Sequence, residues 1–306
     1  MVAQKPGTSG LCLLLGSDVR SLASIPRHNH TVSPSFCPPP TDGRRGFTLI
    51  ELLVVVAIIA LLMAILMPAL QRVKRQAGSV ACQSNLKQMG VVVAMYTDDH
   101  NGKFHQEVGV PVDSPKNSWV YAMRPYYSHE PEIRNCPLVH KFYSDGVTGP
   151  FVGWGVYGEN SYTTPGWAVE GDYGSYGWNW WLCDEDREDK QWRNINTIPG
   201  NRHEIPMFVD AQWVDALPRP TDNPPSGYFT LIDRSMGSFC INRHDGFVNG
   251  VFTDFSVRPI GLKELWELRW YRGWPADRRA AGTPVWPDWM RHFKDYAPEF
   301  VSPLAN

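Results

Sequence analysis

The stretch GFTLIELLVVVAIIALLMAILMPAL, Gly46–Leu70, decides how the rest of the chain is read. From Leu52 to Met67 it carries no polar side chain. With its flanks it offers about 24 residues, or about 36 Å of helix at ~1.5 Å per residue, which is enough to cross a bilayer. Two features set it apart from a plain anchor: a single carboxylate, Glu51, near its start, and Gly46 directly before Phe47, behind Arg44 and Arg45. A carboxylate at the centre of a membrane helix costs ~2.5 to 3.5 kcal/mol on insertion scales, so Glu51 needs a partner or an outlet to water.

The run RRGFTLIELLVVVAIIALL, Arg44–Leu62, resembles the processing and assembly segment of type IV prepilins and type II secretion pseudopilins. The resemblance implies that the inner-membrane prepilin peptidase cuts between Gly46 and Phe47 and methylates the new amino terminus. Gly46, with no side chain, suits an accessible scissile bond. By the same resemblance Glu51, fifth in the mature chain, pairs with the amino terminus of a neighbouring subunit. Charge alone does not orient the helix, because Arg44 and Arg45 precede it while Arg72, Lys74 and Arg75 follow. The resemblance places the leader in the cytoplasm and the bulk in the periplasm or outside the cell.

Residues 1–46 read as a polar, Pro- and Ser-rich leader with no folded core. Its apolar patch Leu11–Leu15 is too short for a secretory signal, which needs ~7 to 15 apolar residues. Such leaders are short in the resembled family, so a start codon downstream of Met1 is expected.

Beyond Pro68, which removes one helical hydrogen bond, a helical period continues. Cys82, Leu86, Met89, Val93 and Tyr96 recur at steps of three or four, with Lys74, Arg75 and Lys87 elsewhere. Asn101-Gly102 ends the helix. The spacing predicts a helix leaving the membrane and docking its second half on a globular head. ACQSNLKQMGVVVAMYTDDHNGKF, from Ala81, resembles the helix-to-head transition of a large pseudopilin-like group whose members often carry a later Cys-Pro, found here as Cys136-Pro137. Four cysteines follow Gly46: Cys82, Cys136, Cys183 and Cys240. Sequence leaves three pairings open, beside buried thiols; the resemblance implies a Cys82–Cys136 disulfide, with Cys183 and Cys240 remaining.

From about Phe104 to Pro259 short apolar runs alternate with turn residues. Strands are expected at 118–123, 153–157, 206–209, 239–242, 248–252 and 255–258. The Gly- and aromatic-rich stretch from Gly149 to Trp181 reads as turn glycines among packed rings, with a recognition surface as the alternative. CDEDREDKQWR, from Cys183, reads as a solvated charged loop, since its contiguous acids lack the alternation and glycine of a calcium loop. RHDGFVNGVFTDF, from Arg243, places His244 and Asp254 around nine residues. It resembles the His, nine residues, Asp-Gly motif of the same group, except that Phe255 replaces the glycine. It reads as a hairpin packed on the long helix, with His244 and Asp254 linked across it and the turn centred on Thr253-Asp254. After Pro259 a short amphipathic helix is expected with Leu262, Leu265, Trp266 and Trp270 inward, then a tail in which Trp286, Trp289 and Phe293 wrap the head.

The expected fold is therefore α+β and pilin-like, a long transmembrane helix continuing into an amphipathic half that packs on an antiparallel β-rich head. Its domains are 1–46 leader, 47–70 assembly helix, 71–100 amphipathic continuation and 101–306 extracytoplasmic head. A formal charge of -2 gives no reason to expect nucleic acid as a partner. Neither GxSxG nor a P-loop occurs, His203-Glu204 lacks the second His of a zinc protease, and no cofactor or metal motif is legible. The expected function is a non-enzymatic pilin or pseudopilin subunit of the inner membrane, whose partners are prepilin peptidase and other subunits. The alternative is a tethered head that binds glycan or secreted cargo through its 13 Trp and 12 Tyr.

Overall fold

The computed structural model describes residues 46–106, 118–127, 131–142, 149–155, 172–185, 190–227, 234–275 and 284–295. The chain forms two compact units, Met1–Val56 and Ala57–Asn306. Helix α1 runs continuously over Leu49–Asp99, through Pro68. Among the described residues it is the one helix long and apolar enough to cross a membrane, which supports a single-pass topology consistent with inner-membrane anchoring. The leader and the arginine pair before Gly46 lie outside the described residues.

Within the larger unit, α1 stays exposed through Ala77 and begins to pack at Gly78, later than the expected boundary at residue 71. From there the stripe closes. Cys82, Leu86, Met89, Val92, Val93 and Tyr96 are all buried. At Gly90 helix and sheet pack closely, for a Cβ there would stand 3.0 Å from Val251 Cγ2. The helix ends as its sequence predicts. Asn101 takes φ +55° and Gly102 φ +80°, and Gly102 N–H donates to Thr97 O over 2.7 Å, a Schellman-type stop. The edge of the docked face is tied by polar bonds: Gln83 to Asn249 Oδ1 at 3.0 Å, Asn85 to Asn135 O at 2.8 Å and Lys87 to Phe255 O at 2.8 Å.

The head contains β1 (Lys141–Phe142), β2 (Val152–Gly155), β3 (Tyr173–Gly174), β4 (Tyr176–Asn179), β5 (Pro206–Asp210), β6 (Asp215–Ala216), β7 (Phe247–Phe252) and β8 (Val257–Gly261). The larger sheet has the order β6-β4-β5-β7-β8 and the smaller β1-β2-β3. Pairing is mostly antiparallel, but β4 with β6 and β1 with β2 run parallel, so the fold is α+β with mixed sheets rather than an antiparallel one. Each face of the larger sheet carries its own core. Trp178, Phe208 and Val251 point to the side that receives α1. Val209, Val248, Phe252 and Ile260 point to the other, where Trp181, Trp266 and Trp270 cover them.

Several expected elements take other forms. Residues 118–123 are not a strand: Ser118 Oγ accepts from Val120 N–H and caps a short helix, α2 (Trp119–Met123). Residues 239–242 form no strand, and Phe239 is instead the C-cap of a single 3-10 turn. The last strand begins at Val257, because residues 253–256 make the turn. Phe255 N–H donates to Phe252 O at 2.8 Å, which centres the turn on Thr253-Asp254 as expected, with Phe255 itself at φ +63°. The amphipathic segment after Pro259 reduces to one 3-10 turn, Glu264–Trp266, although Leu262, Leu265, Trp266 and Trp270 are buried as expected. In the tail, Trp286 meets Trp266 edge-on and Trp289 Nε1 donates to Pro225 O. Trp119, Trp154, Trp178, Trp181 and Trp270 are all at most 2 % exposed, so these rings serve the core rather than a recognition face.

The charged run is corrected as well. Asp184 and Glu185 are buried, and Asp184 accepts from Lys103 Nζ at 2.9 Å, Arg193 Nε at 3.0 Å and Gln106 Nε2 at 3.1 Å; residues 186–189 lie outside the described set. Burial alone would raise the Asp184 pKa, and these three donors more than reverse it.

Arg243 joins the two sheets. It is fully buried, and all five of its N–H groups are satisfied: Nε by Pro150 O, Nη1 by Ser175 O and Asp210 Oδ1, Nη2 by Val152 O and Ala211 O. Replacing it by Met takes a donor from each of four carbonyls and removes the guanidinium from a buried carboxylate. We expect Arg243→Met to cost about 3–5 kcal/mol, the range for breaking a buried ion pair, measured by denaturant unfolding of the detergent-solubilised chain. Asp184→Asn is expected to cost about 1–3 kcal/mol at neutral pH, as for lost hydrogen bonds to a charged group. Because the folded pKa is depressed, this contribution is present above the ordinary Asp range and lost as pH falls through the folded value. The gap in melting temperature between wild type and Asp184→Asn should therefore close on acidification.

Candidate functional site

Two places carry chemistry. The first is the start of α1, within the smaller unit. Helix begins only at Leu49, so the Gly46–Phe47 bond lies in non-helical chain. Among the described residues nothing stands within 4 Å of the Cβ position at Gly46, and Phe47 is 69 % exposed. A peptidase would meet a non-helical bond there. Two residues on, Thr48 and Glu51 form a reciprocal capping box. Glu51 Oε2 accepts from Thr48 N–H at 2.9 Å and from Thr48 Oγ1 at 2.8 Å, while Glu51 N–H lies 3.3 Å from Thr48 Oγ1. Thr-x-x-Glu before an apolar run is a helix-start signature in its own right. The sequence reading passed over it, and it supplies Glu51 with partners inside its own chain.

The second place is buried in the head unit. Cys82 from α1, Cys136 from the loop after the 3-10 turn Pro131–Arg134, Asp210 at the end of β5 and His244 before β7 bring their ligand-type atoms within 4.8 Å of one another. Each is delivered by a packed element. Cys82 lies on the buried stripe of α1, Cys136 N–H donates to Ser175 Oγ at 2.6 Å, and Asp210 is fixed by Arg243 and by Asn249 N–H at 2.7 Å.

The proximity of Cys82 and Cys136 was legible from the resemblance, but the expected bond is absent: both are free thiols. Cys240 likewise is a thiol facing Met290 Sδ at 3.9 Å rather than half of a second bridge. The link between His244 and Asp254 is corrected. His244 Nε2 lies 3.0 Å from Asp210 Oδ2 and 3.6 Å from Cys136 Sγ, whereas Asp254 is exposed and accepts from Ser256 N–H at 2.9 Å and Ser256 Oγ at 2.6 Å, closing its own turn. Asp210 has no motif around it in the sequence. Its partner is set by the β5–β7 pairing, which places Val209 opposite Gly250.

The electrostatics follow from burial and neighbours. Burial would raise the Asp210 pKa, but His244, Arg243 and Asn249 N–H hold it below the ordinary carboxylate range. Burial pulls His244 down, and Asp210 with Cys136 pushes it up to about 9. Burial raises Cys82 well above the usual thiol range. Cys136 is also raised by burial, yet hydrogen bonds with Cys82 and His244 and the charge of Arg243 bring it down to about 6. Cys, His and Asp in contact resemble a nucleophile relay, and the geometry argues against one. A relay uses both ring nitrogens, one toward the nucleophile and one toward the acid. Here both contacts fall on Nε2, His244 Nδ1 is buried without a hydrogen-bond partner, and Cys136 is fully buried. The four side chains together offer two sulfurs, one imidazole nitrogen and one carboxylate, a set that could hold a metal ion.

Comparison with curated proteins and with solved structures gave no match. The family model for the prokaryotic N-terminal methylation motif matches residues 42–67. The chain thus carries a prepilin-type N-terminal methylation motif, and the apolar helix behind it is consistent with the type IV pilin and pseudopilin family.

Proposed function

We propose that this protein is a pilin-like structural subunit. It is cut between Gly46 and Phe47 by prepilin peptidase, methylated on Phe47, and assembled through the exposed apolar half of α1 into a type IV pilus or a secretion pseudopilus. The observation that carries the reading is the methylation motif over residues 42–67, which runs into a helix whose large apolar side chains from Leu49 to Leu70 are each at least 45 % exposed. In a bilayer those side chains face lipid. In a filament they face one another, and small residues such as Ala57, Ala60 and Ala64 let helices approach. The head stands outside the inner membrane and works without catalysis in this reading.

Glu51 then has two candidate roles, capping its own helix and neutralising a neighbour's amino terminus. They separate by substitution. Gln closes the capping box as well as Glu but carries no charge. Glu51→Gln should leave α1, membrane insertion and protein level unchanged and abolish filaments seen by electron microscopy of sheared surface material; normal filaments from this variant would reduce Glu51 to a cap. The intact mass of the membrane-extracted protein should correspond to a chain starting at Phe47 and about 14 Da heavier than unmodified, the mass of one methyl group. A chain that keeps residues 1–46 would count against the whole reading.

A further inference from the structure

The buried cluster of Cys82, Cys136, Asp210 and His244 has no part in cleavage or assembly and lies wholly within the Ala57–Asn306 unit. The geometry points to a structural zinc-type site in which the two sulfurs, His244 Nε2 and a carboxylate oxygen of Asp210 are the four ligands, clamping α1 to the head. In tetrahedral sites zinc binds thiolate at about 2.3 Å, imidazole nitrogen at about 2.0–2.1 Å and carboxylate oxygen at about 2.0–2.2 Å. The edge of a tetrahedron is about 1.6 times its centre-to-corner distance, so ligand atoms around zinc stand about 3.3–3.8 Å apart. Cys82 Sγ is 3.6 Å from each Asp210 oxygen, Cys136 Sγ is 3.6 Å from His244 Nε2, and His244 Nε2 is 3.0 Å from Asp210 Oδ2. The sulfur separations already fall in that span, the nitrogen–oxygen pair needs to open by a few tenths of an ångström, and the remaining pairs lie within 4.8 Å.

Charge supports the same assignment. Two thiolates and a carboxylate carry three negative charges, and a divalent ion with the buried Arg243 guanidinium carries three positive ones. A neutral sum is what a site shut off from water requires. Outer partners for the anionic ligands are already in place. Tyr176 O–H reaches Cys82 Sγ at 3.4 Å, Arg243 Nη1 donates to Asp210 Oδ1 at 2.9 Å and Asn249 N–H donates to Asp210 Oδ2 at 2.7 Å, the kind of shell that orients metal ligands. Two sulfurs with one nitrogen and one oxygen suit zinc, whereas calcium and magnesium take oxygen ligands alone. With four protein ligands no position is open for substrate, so the ion would be structural. A Cys82–Cys136 disulfide is the rival use of the same sulfurs. It would use half of the constellation and leave the placing of His244 and Asp210 to their own ion pair and to Arg243.

The test uses the full chain, extracted in detergent and purified without chelator. Metal analysis is expected to find about one zinc per chain. After the metal is stripped under reducing conditions, titration with Co(II) alone should produce thiolate-to-cobalt charge-transfer absorption and the intense ligand-field bands of a tetrahedral centre, and added zinc should displace them. Cys136→Ser and His244→Ala should each lose the stoichiometric metal, while Cys240→Ser, whose sulfur lies elsewhere in the core, should keep it. Should the ligand variants fold poorly, the wild-type protein decides. A purified chain with Cys82 and Cys136 joined as a disulfide in peptide mapping overturns the site, as does a reduced chain that neither contains zinc nor takes up cobalt. Neither result bears on cleavage at Gly46 or on assembly.

Discussion

A carboxylate with no access to water must be neutralised where it stands, and Asp210 imposes that demand at the end of the central strand β5. The answer is a guanidinium that reaches the same point from the loop before β7 and uses its remaining donors on the smaller sheet and on the chain leaving β5. Removing Asp210 leaves the guanidinium without its carboxylate in a medium of low dielectric, and removing Arg243 leaves the carboxylate to His244 and Asn249 N–H alone; either is a larger loss than most surface contacts represent. Arg243 therefore does for the two sheets what hydrophobic packing cannot do. It fixes their relative position through directional bonds to four separate carbonyls. The docked half of α1 then closes over this polar centre, with Cys82 as the point where the apolar stripe meets it.

Around that centre the packing divides by face. Alternation along β7 sends Val251 toward α1 and Phe252 toward the tryptophan layer. On β5 the alternation breaks, because the register shifts between Pro206 and Phe208 and both Met207 and Phe208 join the α1 side. A two-faced sheet explains why so much Trp and Gly is needed. Broad rings fill the second face without a second long helix, and glycines such as Gly90 let backbones close where a side chain would keep them apart. At the β7–β8 turn, Phe255 holds a left-handed backbone that favours glycine. Its half-buried ring packs against the core beside Gly90, an apolar contact that offsets part of the backbone cost.

What could be read from sequence was what repeats locally. The apolar run, the stripe from Cys82 to Tyr96, the Asn101-Gly102 stop and the hairpin turn on Thr253-Asp254 all follow from spacing of a few residues. What failed depended on distant partners. Trp119–Met123 is a short apolar run of strand-like length, but the Ser118 cap and packing of Trp119, Val120 and Met123 in the core shared with α1 go with a helical turn. Glu264–Trp266 has helical spacing but too few residues to propagate a helix. The acid run after Cys183 looked solvated because its cations, Lys103 and Arg193, could not be placed beside it in advance. His244 was linked to the wrong acid for a related reason. Its spacing to Asp254 describes the hairpin, while its chemistry is set by Asp210, brought in by the neighbouring strand. No local signal marks that pairing; the adjacent Arg243 was the hint available.

The capping box at Thr48 changes how the energetics of Glu51 should be viewed. A lone carboxylate in an apolar helix would drive assembly by the full cost of its exposure to hydrocarbon. Glu51 is not alone, because Thr48 already gives it a backbone and a hydroxyl donor. Pairing with another chain's amino terminus would exchange or share those bonds, so its gain is the difference between a charged partner and two neutral ones, less than for an unpartnered charge. A smaller difference would suit the proposed subunit, which would first sit singly in the membrane and later join others. In the proposed filament the apolar surface of α1 would supply the bulk of helix association through packing, and Glu51 would contribute register, because an ion pair in a greasy interface tolerates little axial displacement.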